Sequence, residues 1–279
     1  MRRCRLFLLA AGLLALLAAP VRAACLPLLS DGQMSSLSAS EDPTLFGLDD
    51  RQEAADSTRL PYSAVCKLLI TYQNGTHGEG TGFIYGENVL ATAGHVLYDE
   101  SGERGGTPLK IEIIPGAKEE QRPFGSYLAV PGENSCFYTP ERWRTRRDWR
   151  YDYGVIALQT AFSPEAGMLD LGHYEDYSEE ALKNTKLSIL GYDAGSFSPL
   201  LAQGNVQQVR PFDLLYQIGI LPGQSGAPVV DADNQVVAIQ NYGVSLNDGE
   251  RALRWNSGAR LNKTAYRFLS SCRSQSALS

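Results

Sequence analysis

Short apolar stretches alternate with turn-forming residues along most of this chain. From residue 61 onward these stretches are rich in β-branched and aromatic residues, and Gly, Pro, Asn and Asp separate them. Eleven such stretches predict short strands, an arrangement that is typical of all-β barrels or sandwiches. A C-terminal helix is predicted over residues 262–271, with Tyr266, Leu269 and Cys272 on one face. The predicted strands cover residues 64–72, 82–85, 89–93, 109–114, 127–130, 153–158, 187–192, 206–209, 214–220, 227–230 and 236–242.

The first 58 residues have a different character. Three arginines precede an apolar run of 14 residues, and small residues around Arg22 then offer a cleavage site after Ala23. This pattern predicts a secretory signal peptide over residues 1–23, with an uncleaved anchor as the alternative, and an extracellular or periplasmic protein without membrane contact after cleavage. Residues 24–58 are polar and irregular, which predicts a leader or propeptide and an extended arm. The remaining domain is expected to cover residues 59–279.

The charge of the chain limits its partners. With 25 basic and 31 acidic residues the formal net charge is −6, and cleavage of the signal peptide would make it more negative. An acidic protein has no general electrostatic attraction for nucleic acid or for an anionic membrane. Five arginines between positions 142 and 150 are a local exception, and we interpret them as part of a solvated loop. We therefore expect no nucleic-acid partner.

Cysteine usage agrees with export. Cys4 would leave with the signal peptide, and four cysteines would remain, at positions 25, 66, 136 and 272. An even number of cysteines in an exported chain predicts disulfide bonds, and four cysteines allow three pairings. Their spacing suits no zinc site, and we expect neither a metal nor a cofactor.

Two of three candidate catalytic motifs lie in the first half of the domain. His95 follows an apolar strand and the small residues Ala93 and Gly94, which leave room for an imidazole ring against a barrel. Asp152 precedes another apolar strand, and a carboxylate there can orient the histidine and stabilise its charged form. Asp148 is the alternative carboxylate.

Ser225 is the candidate nucleophile. Glycines at positions 223 and 226 permit a tight turn and allow the amides of Gly223 and Ser225 to face a developing oxyanion. All three histidines of the chain precede Ser225, which excludes an α/β-hydrolase, because in that fold the histidine follows the serine. The order His, Asp, Ser is that of chymotrypsin-type enzymes.

With these three motifs the chain resembles the bacterial secreted glutamyl-endopeptidase branch of the chymotrypsin-fold serine proteases. The resemblance extends from about residue 45 to residue 271 and includes segments 80–95, 137–158 and 223–230. It implies two six-stranded β-barrels with the site in the cleft between them, and a C-terminal helix. His95, Asp152 and Ser225 match the catalytic triad of that family, and Gly223 matches its oxyanion-hole glycine.

The resemblance also implies processing and cross-links. Members of the family are made as zymogens and trimmed near the position of Thr44 or Leu45, and the amine exposed in this way can reach the specificity pocket. The expected fold brings the C-terminal helix near the segment that leads to Asp152. This favours a Cys136–Cys272 disulfide, with Cys25–Cys66 as the second pair.

The substrate side chain is expected to bind between two neutral walls. Gly219 and Ile220 belong to one wall, and Gln240, Asn241 and Tyr242 belong to the other. Glutamate-preferring members of the family carry a histidine where this chain has Gln240. Because burying a charge without a partner is costly, we expect cleavage mainly after neutral residues, of small to medium size since Ile220 narrows the pocket. Glutamate-specific cleavage is the alternative.

These inferences predict a secreted, monomeric serine endopeptidase that needs no cofactor and acts on protein or peptide substrates. Its triad would act through an acyl-enzyme intermediate. One alternative is a non-catalytic binding protein of the same fold, such as an adhesin or a decoy. Another is a dedicated esterase.

Overall fold

The computed structural model describes residues 38–40, 45–47, 49–99, 101–183, 185–248 and 251–276, so the predicted signal peptide lies outside the described residues. The described residues form two antiparallel sheets and four α-helices. The strands are β1 Ser38–Ser40, β2 Gln52–Glu53, β3 Val65–Thr71, β4 His77–Gly86, β5 Val89–Thr92, β6 Lys110–Pro115, β7 Tyr127–Ala129, β8 Ser135–Tyr138, β9 Gly154–Leu158, β10 Lys186–Tyr192, β11 Pro199–Val209, β12 Asp213–Tyr216, β13 Pro228–Val230, β14 Val236–Asp248 and β15 Arg251–Arg260. The α-helices are α1 Gly94–Leu97, α2 Glu141–Arg146, α3 Glu179–Lys183 and α4 Lys263–Ser276.

The first sheet contains seven strands, in the order β7-β6-β3-β4-β5-β9-β8. Its strands carry apolar side chains at the buried positions, and Phe83, Leu90 and Val155 are fully buried in its core. Strand β5 pairs with β9, with Thr92 opposite Gly154. This pairing places the segment after β5 beside the segment before β9, because antiparallel neighbours bring the end of one strand to the start of the other.

The second sheet closes on itself. Strands β14, β13, β10, β11, β12 and β15 follow one another, and β14 also pairs with β15, which completes a six-stranded barrel. Strand β1 adds to β14, and β2 adds to β11. The prediction of two barrel-like sheets is therefore confirmed, with seven strands rather than six in the first sheet and two added edge strands on the second.

The sequence pattern did not predict one strand of the second barrel, β15. Residues 251–260 contain few β-branched residues, and their pattern predicted no strand. In the structure β15 pairs with β12 and β14, and the side chain of Trp255 is fully buried. Cross-strand pairing and burial, rather than local propensity, decide this element.

The C-terminal helix returns from the second barrel to the first. Asn262 caps α4, because its Oδ1 accepts from the amides of Thr264 at 3.0 Å and Ala265 at 3.1 Å. Leu269 is fully buried, and its carbonyl accepts a hydrogen bond from the Tyr85 hydroxyl of the first sheet. The predicted helix is confirmed, although Tyr266 is only half-buried. Among the described helices, none is both long and apolar enough to cross a membrane.

The cysteines do not form the predicted Cys136–Cys272 pair. Cys66, Cys136 and Cys272 are free thiols, and Cys25 lies outside the described residues. Cys136 is exposed on β8. Cys272 faces the core, and burial raises the pKa of its thiol to about 11.

Candidate active site

His95 lies in the short helix α1, directly after β5. A Cβ atom at the preceding residue, Gly94, would come within 2.8 Å of Asp152 Oδ1. Glycine is therefore required there for the carboxylate to approach the backbone, and the amide of His95 donates to the same oxygen at 2.7 Å. The absence of a side chain at Gly94 thus makes room for Asp152.

Asp152 precedes β9, and its side chain is fully buried. Its Oδ2 lies 2.9 Å from His95 Nδ1. Asn241 donates from Nδ2 to the same oxygen at 3.0 Å and to the Asp152 backbone carbonyl at 2.7 Å. The carboxylate is thus fixed by His95 on one barrel and Asn241 on the other, and these charge-assisted hydrogen bonds compensate its burial.

Ser225 lies in the tight turn that precedes β13. Its neighbours Gly223 and Gly226 have φ angles of +98° and +89°, which side chains rarely adopt. The Ser225 carbonyl accepts from the Thr81 amide at 2.9 Å, and the Thr81 hydroxyl donates to the Gly223 carbonyl at 2.9 Å. Strand β4 of the first sheet therefore holds both ends of the turn segment 223–225.

A cleft of about 330 Å³ opens above these residues. Its lining includes His95, Ser225 and Tyr242, and the rings of His95 and Tyr242 stack with their centroids 5.2 Å apart. The first barrel also contributes Asp99 and Arg104 to this lining. The structure therefore brings His95 and Ser225 to one cleft, with Asp152 buried behind the imidazole.

The other titratable candidates lie elsewhere. Asp148 accepts from Arg150 Nε at 2.7 Å and from Arg150 Nη2 at 2.8 Å. His77 is exposed in the β3–β4 hairpin, and the His173 ring packs against the half-buried rings of Tyr174 and Tyr266. Of the two carboxylates considered, Asp152 is the one beside His95.

The predicted pocket walls are corrected at one position. Ile220 is fully buried in the core of the second barrel, so it does not narrow a pocket as expected. Asn241 lines the cleft with Ser225 and Tyr242, and its side-chain amide donates to Asp152. Gly219 stays half-buried, and a Cβ atom there would lie 3.1 Å from the side chain of Leu45. The start of the predicted mature chain therefore lies beside this wall.

Gln240 lies deep in the second barrel, where Tyr216 is its partner. The Tyr216 hydroxyl donates a short hydrogen bond to Gln240 Oε1, and both side chains are buried. A buried carboxyl, Asp213, lies near Tyr216; burial raises its pKa to about 6, and Arg210 lies 3.2 Å from it.

The comparison with known families agrees with this geometry. Residues 80–239, more than half of the chain, match the trypsin-like peptidase domain. The chain belongs to the trypsin-like peptidase family. This membership confirms the resemblance that the His95, Asp152 and Ser225 motifs indicated, and all three residues lie inside the matched range.

Two curated bacterial proteins are similar to this family member. The "Extracellular metalloprotease" of Bacillus subtilis (strain 168) is 27% identical over 216 residues, and the alignment covers 75% of this chain and 66% of that protein. The "Glutamyl endopeptidase" of Bacillus licheniformis is 26% identical over 229 residues, with coverages of 80% and 67%. The chain therefore spans about two thirds of the length of these relatives.

A solved structure of a Glu endopeptidase in complex with MPD shares the fold, with a TM-score of 0.69 at 22% identity. The match covers 83% of this chain and all of that chain.

The name of the Bacillus subtilis relative refers to a metal. Among the described residues of this chain, no group of three or more His, Cys, Asp or Glu side chains is arranged to hold a metal ion.

Proposed function

We propose that this family member is a serine endopeptidase in which Ser225 is the nucleophile, His95 the base and Asp152 its orienting carboxylate. The main support is the 2.9 Å contact between Asp152 Oδ2 and His95 Nδ1, behind a cleft that Ser225 also lines. A hydrogen bond at Nδ1 leaves Nε2 as the ring nitrogen that can accept a proton from the serine hydroxyl.

The proposed reaction has two stages. Ser225 Oγ attacks the scissile carbonyl while His95 takes its proton, and His95 then gives that proton to the leaving amine. Water next attacks the acyl-enzyme with His95 again as the base, which frees the serine and releases the new carboxylate. The amides of Gly223 and Ser225 stabilise the oxyanion in both stages, in a segment that β4 holds through Thr81.

The proposal includes the export and processing that the sequence predicts. Residues 1–23 would act as the signal peptide, and residues 24–58 would contain a propeptide and an arm before the protease domain at 59–279. Support for the arm comes from β2, which pairs with β11 of the second barrel. Trimming near Leu45 would produce an N-terminus beside Gly219.

Covalent labelling tests the proposed function. We expect a fluorophosphonate probe to label the secreted protein at Ser225, because the base and the oxyanion site make this hydroxyl reactive. Mass spectrometry of the labelled peptide identifies the site, and prior incubation with a chelator is expected to leave the labelling unchanged. A protein that does not label, or that loses peptidase activity with a chelator alone, would contradict the proposal; the first result would favour a binding protein.

Cleavage after neutral residues is the proposed specificity. No charged side chain comes from the wall residues Gly219, Gln240 and Tyr242, and Gln240 offers a neutral amide. A substrate carboxylate there would lose its hydration without a full counter-charge, whereas a neutral side chain avoids that cost. Since Ile220 is buried in the barrel core, the expected size limit no longer has a basis.

A proteome digest checks this prediction. We expect mass spectrometry of a denatured proteome, treated with the trimmed enzyme, to find most cuts after uncharged residues. Cleavage mainly after glutamate would contradict the proposed neutral specificity. It would indicate that the N-terminal amine near Gly219 supplies the counter-charge for the glutamate side chain. In that case acetylation of the N-terminal amine should abolish the preference for glutamate, and Gln240→His should strengthen that preference.

A further inference from the structure

The turn between β10 and β11 supports the segment that precedes Ser225. The amide of Ala194 donates to the Pro222 carbonyl at 2.7 Å. A Cβ atom at Gly223 would lie 2.3 Å from the nitrogen of Ala194, so the two backbones touch. Any movement of this turn must therefore change the course of residues 222–224.

Asp193 begins this turn and connects it to the residue before the nucleophile. Its Oδ1 accepts from Gln224 Nε2 at 2.8 Å and from Arg51 Nη1 at 2.8 Å. A single carboxylate oxygen thus joins the N-terminal arm to Gln224. Because Gln224 lies between the two proposed oxyanion amides, its side-chain contact restrains the peptide units on both sides.

Arg51 reaches Asp193 because the arm docks on the second barrel. The next residue, Gln52, pairs with Leu201 on β11, and Ala54 donates to the Pro199 carbonyl at 2.9 Å. Only 4% of the Arg51 side chain is exposed.

The guanidinium of Arg51 is held on its other side by Asp49, whose two oxygens lie 2.8 Å from Nε and Nη2. An arginine held in this way presents its remaining donors in a fixed direction, which suits a positioning role.

The opposite side of the turn is fixed by the first sheet. Lys67 is fully buried and donates to the Asp193 carbonyl at 2.8 Å and to Glu79 Oε2 at 2.6 Å. Glu79 in turn accepts from the Gly195 amide at 2.7 Å. This second contact belongs to the body of the domain, whereas the contact from Arg51 depends on the arm.

We propose that Arg51 is a positioning residue for the oxyanion segment: through Asp193 it holds Gln224, and so sets the direction of the Gly223 and Ser225 amides. The inference rests on the proposed serine endopeptidase function. It makes full turnover depend on the docked arm, because an undocked arm removes the guanidinium from Asp193.

The variant Arg51→Met tests the role, since it keeps much of the aliphatic stem and removes the donors. With a fluorogenic peptide chosen from the proteome digest, we expect kcat to fall by about 10- to 100-fold, less than the loss of a whole oxyanion donor, and KM to change by less than about threefold. Arg51→Lys should restore part of kcat. Arg59→Met is the matched control, because Arg59 is exposed and pairs with the exposed Asp56, and it should keep the wild-type kcat.

A double-mutant cycle then tests the route of the effect. Asp193→Asn should lower kcat by a similar factor. The double variant with Arg51→Met should have a kcat no lower than that of the less active single variant, because the two residues act as one unit. If Arg51→Met does not fold, Asp193→Asn and Gln224→Met break the same contacts from the other side. Circular dichroism checks that each variant is folded.

The outcomes separate this inference from the proposed function. A wild-type protein that neither hydrolyses peptides nor labels with a fluorophosphonate would refute the serine endopeptidase itself. An active wild type with unchanged kcat in Arg51→Met, or in both Asp193→Asn and Gln224→Met, would overturn the positioning role alone. A rise in KM without a fall in kcat would also overturn it, since it would place Arg51 in substrate binding.

Discussion

Ser225→Ala is expected to lower turnover by about 10⁵- to 10⁶-fold, and His95→Ala to do the same, because nucleophile and base act as one unit. The fold should survive the serine change. The Ser225 hydroxyl donates a long hydrogen bond, 3.5 Å to the Asn241 carbonyl, so the alanine variant loses one weak contact. Peptide hydrolysis by the purified variants, measured with sensitive fluorogenic substrates, checks the effect.

Ser101→Ala is the matched control for Ser225→Ala. Ser101 lines the same cleft, but its hydroxyl donates to the half-buried Asp99 at 2.6 Å. This variant should keep turnover near the wild-type value. Near-wild-type peptidase activity in Ser225→Ala would instead show that another residue performs the attack.

Asp152→Asn is expected to cost about 10⁴-fold in turnover. In the wild type, Asp152 Oδ2 faces two nitrogens, His95 Nδ1 and Asn241 Nδ2. If the asparagine nitrogen takes the place of Oδ2, it faces these two donors. If the asparagine oxygen takes that place, the new NH₂ group faces the His95 backbone amide instead. Each arrangement loses a hydrogen bond that the carboxylate accepts. The first also requires Nδ1 to act as an acceptor, which favours the wrong imidazole tautomer and lowers kcat while leaving substrate binding largely intact.

The control for this variant is Asp148→Asn. Asp148 pairs with Arg150 at 2.7 Å; the Arg150 side chain is 43% exposed and the Asp148 side chain 10% exposed, and an asparagine keeps one oxygen that can accept from the arginine. The substitution should leave kcat and KM within about twofold of the wild type. A larger loss in Asp148→Asn than in Asp152→Asn would show that the wrong carboxylate has been assigned.

The N-terminal arm contacts two parts of the proposed site, and the sequence alone does not indicate either contact. Leu45 lies beside Gly219, and Arg51 reaches the turn behind Gln224. The first contact places the predicted mature N-terminus near the substrate side chain, and the second connects the same arm to the proposed oxyanion segment. Propeptide trimming and arm docking would therefore act on different parts of the site, and the digest and the Arg51 variants measure them separately.

The sequence by itself determined the family, most strands and the three proposed catalytic residues. Each of these carries a local signal: apolar runs between turn residues, small residues before His95, and glycines around Ser225. The order of the motifs then fixed the class, because the three proposed residues follow the chain order of only one of the folds considered.

Only the tertiary structure decided what surrounds these residues. Asn241 binds Asp152 across 89 positions of sequence, and Arg51 binds Asp193 across 142. The same holds for Ile220, whose apolar character suits a pocket wall or a barrel core equally well. The strand β15 has weak propensity and exists because its neighbours pair with it. The local sequence pattern indicates which backbone conformation and which burial a segment favours. Hydrogen-bond partners, in contrast, depend on how strands that are distant in sequence pair.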